Sequence, residues 1–289
     1  MEQEVNVMQK LLFIYDIENE DYWKDGLWAA VEKLKNDFTV TTLNVHTDEA
    51  NHLVEYFTFD FALAWGGFGS PPELFLRNLP ESYAKKKGLC LGGYAPPPTN
   101  IILPYDIIFY ETNWSMDWMH QNRVPAQTYS RCRFRRAFGV NKDIYFPRRD
   151  PAPVKLWDYL TVGAFSVWKR QTLLVAKPGH KMAVGQIQKD NLGESIDVIG
   201  NLLLGHCAVS DMVHPDQLAL MYNMSRRVYI PAELMGGGER AVLEAKACDI
   251  AVEVEPDNPK LLELANLPHV WSHEDYAKEL KEGILACLS

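Results

Sequence analysis

Unbroken apolar runs and stretches of helical spacing alternate along this chain. Leu11-Leu12-Phe13-Ile14-Tyr15 carries no charged residue and ends at Asp16, the pattern of a strand buried on both faces of a parallel sheet. Over residues 22–36, Leu27, Ala30, Val31 and Leu34 recur at helical spacing, and residues 38–45, rich in β-branched side chains, predict a second strand. Strand, helix, strand is the opening of a parallel sheet. The alternation goes on. Phe61-Ala62-Leu63-Ala64-Trp65 reads as a strand ending in Gly66-Gly67, residues 72–87 as a helix interrupted by Pro80, and residues 89–94 as a short strand. A loop at Pro96-Pro97-Pro98 then leads to a strand over 107–110. This order predicts a doubly wound α/β domain.

Residues 147–153 hold three prolines in Pro-Arg-Arg-Asp-Pro-Ala-Pro, a stiff linker, and the expected domain boundary falls there, giving domains 1–150 and 151–289. The pattern then restarts. Strands are expected over 159–165, around Asp197-Val198-Ile199, over 227–230 and over 250–254. Helices are expected from 169–176, 214–223, 240–248 and 273–288. No internal repeat of solenoid type is present.

A chain of 289 residues is long enough for two domains, each with its own core. The net charge of -9 argues against nucleic-acid binding, which needs a cationic surface. The cluster Arg131, Arg133, Arg135 and Arg136 reads as a solvated face, with an acidic ligand or phospholipid surface as the alternative. The five cysteines are scattered and form no C-x-x-C pair, so neither a disulfide framework nor a zinc site is expected, and a reducing, cytoplasmic setting fits. No signal peptide or membrane span is read in the sequence.

In open parallel sheets, ligands bind beyond the carboxyl ends of the strands. One loop there, Pro231 through Gly236-Gly237-Gly238-Glu239-Arg240, joins an expected strand to an expected helix. Three glycines let the backbone approach a ligand, and the helix start offers free N–H groups to an anion such as a diphosphate. A second loop runs from Gly163 to Lys169 and Arg170, whose cations would stabilise a departing diphosphate. Glu244, just over one helical turn past Arg240, is positioned to accept from ribose hydroxyls, or else is a surface glutamate.

At these residues the chain resembles the GT-B glycosyltransferases, specifically the retaining family-four group. Phe138-Gly139-Val140-Asn141-Lys142-Asp143-Ile144-Tyr145-Phe146-Pro147 is similar to that group's inter-domain signature. Val162-Gly163 followed by Lys169 is similar to its phosphate-binding loop. Ile230-Pro231 through Glu244-Ala245-Lys246-Ala247-Cys248 is similar to its donor-binding helix. The resemblance runs from about residue 138 to 265 and is topological before that. Of the group's paired glutamates, Glu244 matches the second, whereas the first falls on Gly236; the usual loop arginine is Ala164, Arg170 takes a usual glycine position, and Asp249 another.

The resemblance implies two Rossmann-like domains facing across a cleft, with a trimmed acceptor-side domain first and a nucleotide-sugar donor domain second. It implies sugar transfer to a glycan or other hydroxyl acceptor, with retention, without metal or cofactor, and with the diphosphate as local base. Lys169 would be the catalytic cation. Gly163, Arg170, Gly236, Gly237, Gly238, Glu239, Arg240 and Glu244 would hold the donor. At expected strand ends of the first half, Asp16, Gly67, Glu111 and Asn113 are acceptor-side candidates, and His120 is an acid/base candidate, though a lone histidine is also a common structural residue. A catalytically silent nucleotide- or glycan-binding protein and a sugar-nucleotide epimerase are the competing expectations.

Overall fold

The computed structural model describes residues 8–18, 20, 24–47, 57–92, 103–122 and 131–289. It divides into two compact units. The first is made of residues 1–20, 27–138 and 274–289, and the second of 21–26 and 139–273. The chain enters the second unit at Gly139, ahead of the proline-rich stretch where the boundary was expected, and returns to the first for its last helix.

Unit one contains β1 (Lys10–Tyr15), α1 (Gly26–Leu34), β2 (Thr39–Asn44), β3 (Phe59–Gly66), α2 (Pro71–Asn78), β4 (Ala84–Leu91), β5 (Ile107–Tyr110), α3 (Asn113–Asn122) and β6 (Arg133–Arg136). Its six strands pair in parallel in the order β2-β1-β3-β4-β5-β6. The apolar run of β1 is buried throughout, from Leu11 to Tyr15, as a central strand covered on both faces requires. On one face Leu12, Ile14, Ala62, Ala64, Leu89 and Ile108 meet Leu76 of α2 and Met119 of α3. The expected helix over 72–87 is two elements. α2 stops before Pro80, which cannot donate to a helix, and β4 takes up the rest. Tyr22, Trp23 and the triple-proline loop fall outside the described residues.

Unit two contains β7 (Trp157–Val162), β8 (Lys181–Val184), α4 (Leu192–Leu204), β9 (Ala208–Ser210), α5 (Pro215–Asn223), β10 (Ser225–Ile230), α6 (Glu239–Ala247), β11 (Ala251–Val254) and α7 (Pro259–Ala265). The final helix, α8 (His273–Leu288), has all but its first residue in unit one. The second sheet is also parallel throughout, in the order β11-β10-β7-β8-β9. The strand expected around Asp197 is instead helical. Ser195, Val198 and Leu202 are its buried residues, spaced as one helix face. The expected helix over 169–176 is a pair of 3-10 turns, Val167–Lys169 and Gln171–Ala176, broken at Arg170 by a left-handed backbone with φ 46°.

Because α8 belongs to unit one, its packing is testable there. A Cβ built on Gly283 would stand 2.6 Å from the Phe109 ring and 2.8 Å from Ile107. Gly283→Val is expected to lower stability by about 1–3 kcal/mol in urea unfolding, through overpacking.

Candidate functional site

In the second sheet, β7 has β8 on one side and β10 on the other, so the strand order reverses between β7 and β10. Ligands of open parallel sheets bind at that reversal, beyond the strand carboxyl ends. The loops leaving β7 and β10 are the two singled out by sequence, and they are tied together. The Trp168 carbonyl accepts from the Glu233 amide at 2.9 Å. Gly236 packs so closely on that carbonyl that any Cβ there would overlap its oxygen. Arg170 donates to the carbonyls of Pro231 at 2.7 Å and Ala232 at 3.3 Å, and its two terminal nitrogens pair with Asp257 at 2.7 and 2.8 Å. Asn258 Nδ2 donates to the Ala232 and Glu233 carbonyls, 3.0 Å each. Arg170 was expected to face a diphosphate; its donors are instead engaged in fixing the loop.

Lys169 lies differently. Its stem runs along Gly163, where a Cβ would stand 3.2 Å from Cδ and 3.3 Å from Cε, and where φ is 147°. Its ammonium reaches the glycine triplet, 3.3 Å from the point a Gly237 Cβ would occupy. Gly237 and Gly238 hold φ of 70° and 109°, values that favour glycine. Among the described residues, no hydrogen bond or ion pair engages the Lys169 ammonium. Desolvation pulls its pKa below the usual lysine value, Glu239 opposes, and Arg240 and Lys260 add to the fall. A half-buried cation left without a partner, beside the N-terminus of α6, is an arrangement that an anion completes.

Glu239 opens α6, is buried, and pairs with the buried Lys260. Arg240 pairs with Asp25 at 2.6 Å. Glu244, one turn further, is buried too. Its Oε2 accepts from the Tyr222 hydroxyl at 3.0 Å, and Tyr145 stacks edge-on to Tyr222 with ring centroids 6.0 Å apart. Burial pushes the Glu244 pKa up to about 7, against the opposing pull of Arg240 and the tyrosine hydroxyls. Sequence reasoning missed Asp25, Tyr145, Tyr222, Asp257 and Lys260. Only Asn258-Pro259, a helix-start pair, carried a local signal for α7.

The remaining candidates lie in unit one. Asp16 follows β1 and contacts His46 at 3.1 Å. The Gly67 carbonyl accepts from the Ser70 amide at 3.0 Å in the turn after β3. Glu111 follows β5, and its carbonyl accepts from Arg136 at 3.0 Å. Asn113 starts α3 and is exposed, as is His120, whose ring centroid is 5.6 Å from that of Phe134. In the arginine cluster Arg131 and Arg133 are exposed, as expected of a solvated face, and the other two are engaged. Arg135 pairs with Glu279 at 2.6 Å and with Glu282, and Arg136 lies over the Phe138 ring at 5.0 Å. Among the described residues, no group of three or more histidine, cysteine or acidic side chains is arranged to hold a metal, and no helix is long and apolar enough to cross a membrane.

No protein-family model matches the chain, and no curated protein matches it in sequence. Solved structures do match in fold. Sucrose-phosphate synthase of Thermosynechococcus elongatus superposes with a TM-score of 0.69 at 11% identity, over 96% of this chain and 90% of that one. HepE of Anabaena, in complex with UDP and glucose, gives 0.63 at 11%, over 97% and 90%. UDP-GlcNAc 2-epimerase of Neisseria meningitidis, bound to UDP-GlcNAc, gives 0.56 at 13%, over 96% and 100%. The chain therefore has the GT-B fold of two Rossmann-like units. The match runs nearly the whole length of these proteins.

Two outcomes follow for this site. A Glu244 pKa raised from 4.5 toward 7 means that the folded state holds the proton more tightly than the unfolded one. The stability this contributes is full below pH 4.5 and is lost as pH rises through 7. Glu244→Gln should remove that loss, gaining on the order of 3 kcal/mol relative to wild type between pH 4 and pH 8. Urea unfolding at the two pH values measures it. Separately, Gly236→Ala should force the loop off the Trp168 carbonyl and lower the thermal midpoint by several degrees, at about 1–3 kcal/mol of overpacking.

Proposed function

We propose that this protein is a glycosyltransferase that binds a nucleoside-diphosphate sugar in its second unit and transfers the sugar, with retention and without a metal ion, to a glycan or other hydroxyl acceptor. The observation that carries the reading is the Lys169 ammonium, unpaired among the described residues, at the glycine triplet that follows one of the two strands between which the parallel sheet changes order. HepE of the same fold is solved with UDP and glucose and with UDP-glucose, which makes a UDP-sugar the first donor class to try.

The chemistry follows from charge. As the bond from the anomeric carbon to the diphosphate oxygen breaks, negative charge gathers on the leaving diphosphate. Lys169 and the free amides at the start of α6 stabilise that charge more in the transition state than in the ground state, which raises turnover. The departing phosphate oxygen is itself basic enough to take the proton of an acceptor hydroxyl on the same face of the sugar, giving retention. Glu244 serves the ribose hydroxyls. Gly163 and Gly236 to Gly238 allow close approach, Glu239 and Arg240 frame the helix start, and Arg170 fixes the loop. On the acceptor side, Asp16, Gly67, Glu111 and Asn113 offer polar groups, with His120 as an acid/base group. No cofactor is required. Five free cysteines, four of them buried, suit a reducing cytoplasm, and the charge of -9 is unfavourable to nucleic acid.

A second reading, a silent nucleotide-binding protein, is favoured by one specific observation: the backbone at Gly236, where the resemblance calls for a carboxylate, leaves no room for any side chain.

The test is calorimetric titration with UDP followed by transfer assays with UDP-sugars. Lys169→Met should weaken UDP binding by about 1.5–3 kcal/mol, roughly ten- to a hundred-fold, and lower turnover at least as much, while leaving the thermal midpoint unchanged or raised. Equal affinity in the variant would remove Lys169 from the site. Binding without glycoside formation across a broad acceptor panel would favour the silent protein, and hydrolytic release of UDP alone would favour epimerase-like chemistry.

A further inference from the structure

Lys260 is almost fully buried, 1% exposed, and stands in α7 between Asn258 and the buried Leu261 and Leu264. An apolar residue would fill that position at lower cost, because a buried ammonium needs a charged partner to offset its lost hydration. Its partner is Oε1 of Glu239. The start of α7 is tied to the glycine loop as well, through the Asn258 side chain on the Ala232 and Glu233 carbonyls. Lys260 is thus held in register with the loop that meets Lys169.

The other oxygen of Glu239 lies by the glycine triplet. Oε2 lies 3.4 Å from the point a Gly237 Cβ would occupy, and the Lys169 ammonium lies 3.3 Å from the same point. The two groups flank one spot without forming an ion pair. We propose that Lys260 is a positioning residue: by holding one oxygen of Glu239, it keeps that carboxylate beside Lys169 without letting it close on the ammonium. The proposal rests on the reading of Lys169 as a diphosphate ligand.

Two opposing requirements make the arrangement useful. A carboxylate free to swing would pair with Lys169 and compete with any arriving anion. With no carboxylate nearby, Lys169 would be desolvated among like charges and shed its proton. The charged groups acting on it are Glu239, which favours the charged form, and Arg240 and Lys260, which disfavour it. A carboxylate held close but tethered elsewhere satisfies both requirements.

UDP titrations from pH 6 to 10, with thermal midpoints recorded at each pH, test this on wild type, Lys260→Met and the double variant Lys260→Met with Glu239→Gln. Lys260→Met is expected to lower UDP affinity at pH 7 by roughly tenfold, as Glu239 turns to Lys169. The double variant leaves no buried charge unpaired, so it is expected to fold even if the single variant does not. It should bind UDP more tightly at pH 7 than Lys260→Met does, yet lose binding at a lower pH than wild type as pH rises, because Lys169 has lost its carboxylate. A double variant whose affinity falls with pH along the wild-type curve overturns the proposal, as does a folded Lys260→Met with wild-type affinity. Wild type that fails to bind UDP at all sinks the diphosphate reading itself, a different result from either.

Discussion

The bond between the Trp168 carbonyl and the Glu233 amide, with Gly236 pressed against the same oxygen, is the constraint on which the second unit's site depends. It joins the loop after β7 to the loop after β10 across the reversal of strand order. Once they are joined, Arg170 is drawn to the far loop's carbonyls and to Asp257, and its backbone takes the left-handed conformation that ends one 3-10 turn and starts the next. The neighbouring Lys169 is then turned along Gly163 to the glycine triplet. Two adjacent cations that look equivalent in sequence thus have separate tasks, one holding the loop and one left available.

Much of the architecture was legible because parallel strands buried on both faces are long apolar runs. β1, β3 and β5 were read from such runs, and the C-terminal helix from its amphipathic spacing. What escaped was short or unmarked. β8 and β9 have four and three residues, too few to show a period. In α4 the apolar residues Ile196, Val198, Ile199 and Leu202 are dense enough to read as either element, and the buried row at Ser195, Val198 and Leu202 emerges only in three dimensions. β6, an edge strand of Arg133-Phe134-Arg135-Arg136, has only Phe134 of the usual strand composition and is held in part by the glutamates of α8.

The site was half legible for a related reason. Glycines before a helix and a lysine after a strand are local patterns, and sequence finds them. Partners at long separation are not. Asp25 meets Arg240, Tyr222 meets Glu244, and Lys260 meets Glu239 through the fold alone. Those partners decide what each charged group can do. Burial raises the Glu244 pKa to about 7 against the pull of Tyr222 and Arg240, while Arg240 and Lys260 are each paired with a carboxylate and, among the described residues, Lys169 is not.

The division of the chain has a consequence for how it is made. Nearly all of unit two, residues 139–273, is synthesised as one stretch, whereas unit one lacks α8 until that stretch is complete. On the ribosome unit one has all six of its strands before β7 is made, yet it is unit two that first has its full set of elements, while the face around Phe109 and Ile107 still lacks α8. The contacts that finally close it join residues far apart in the chain, such as Arg135 with Glu279, the kind of non-local pairing that slows folding and leaves apolar surface uncovered in the meantime.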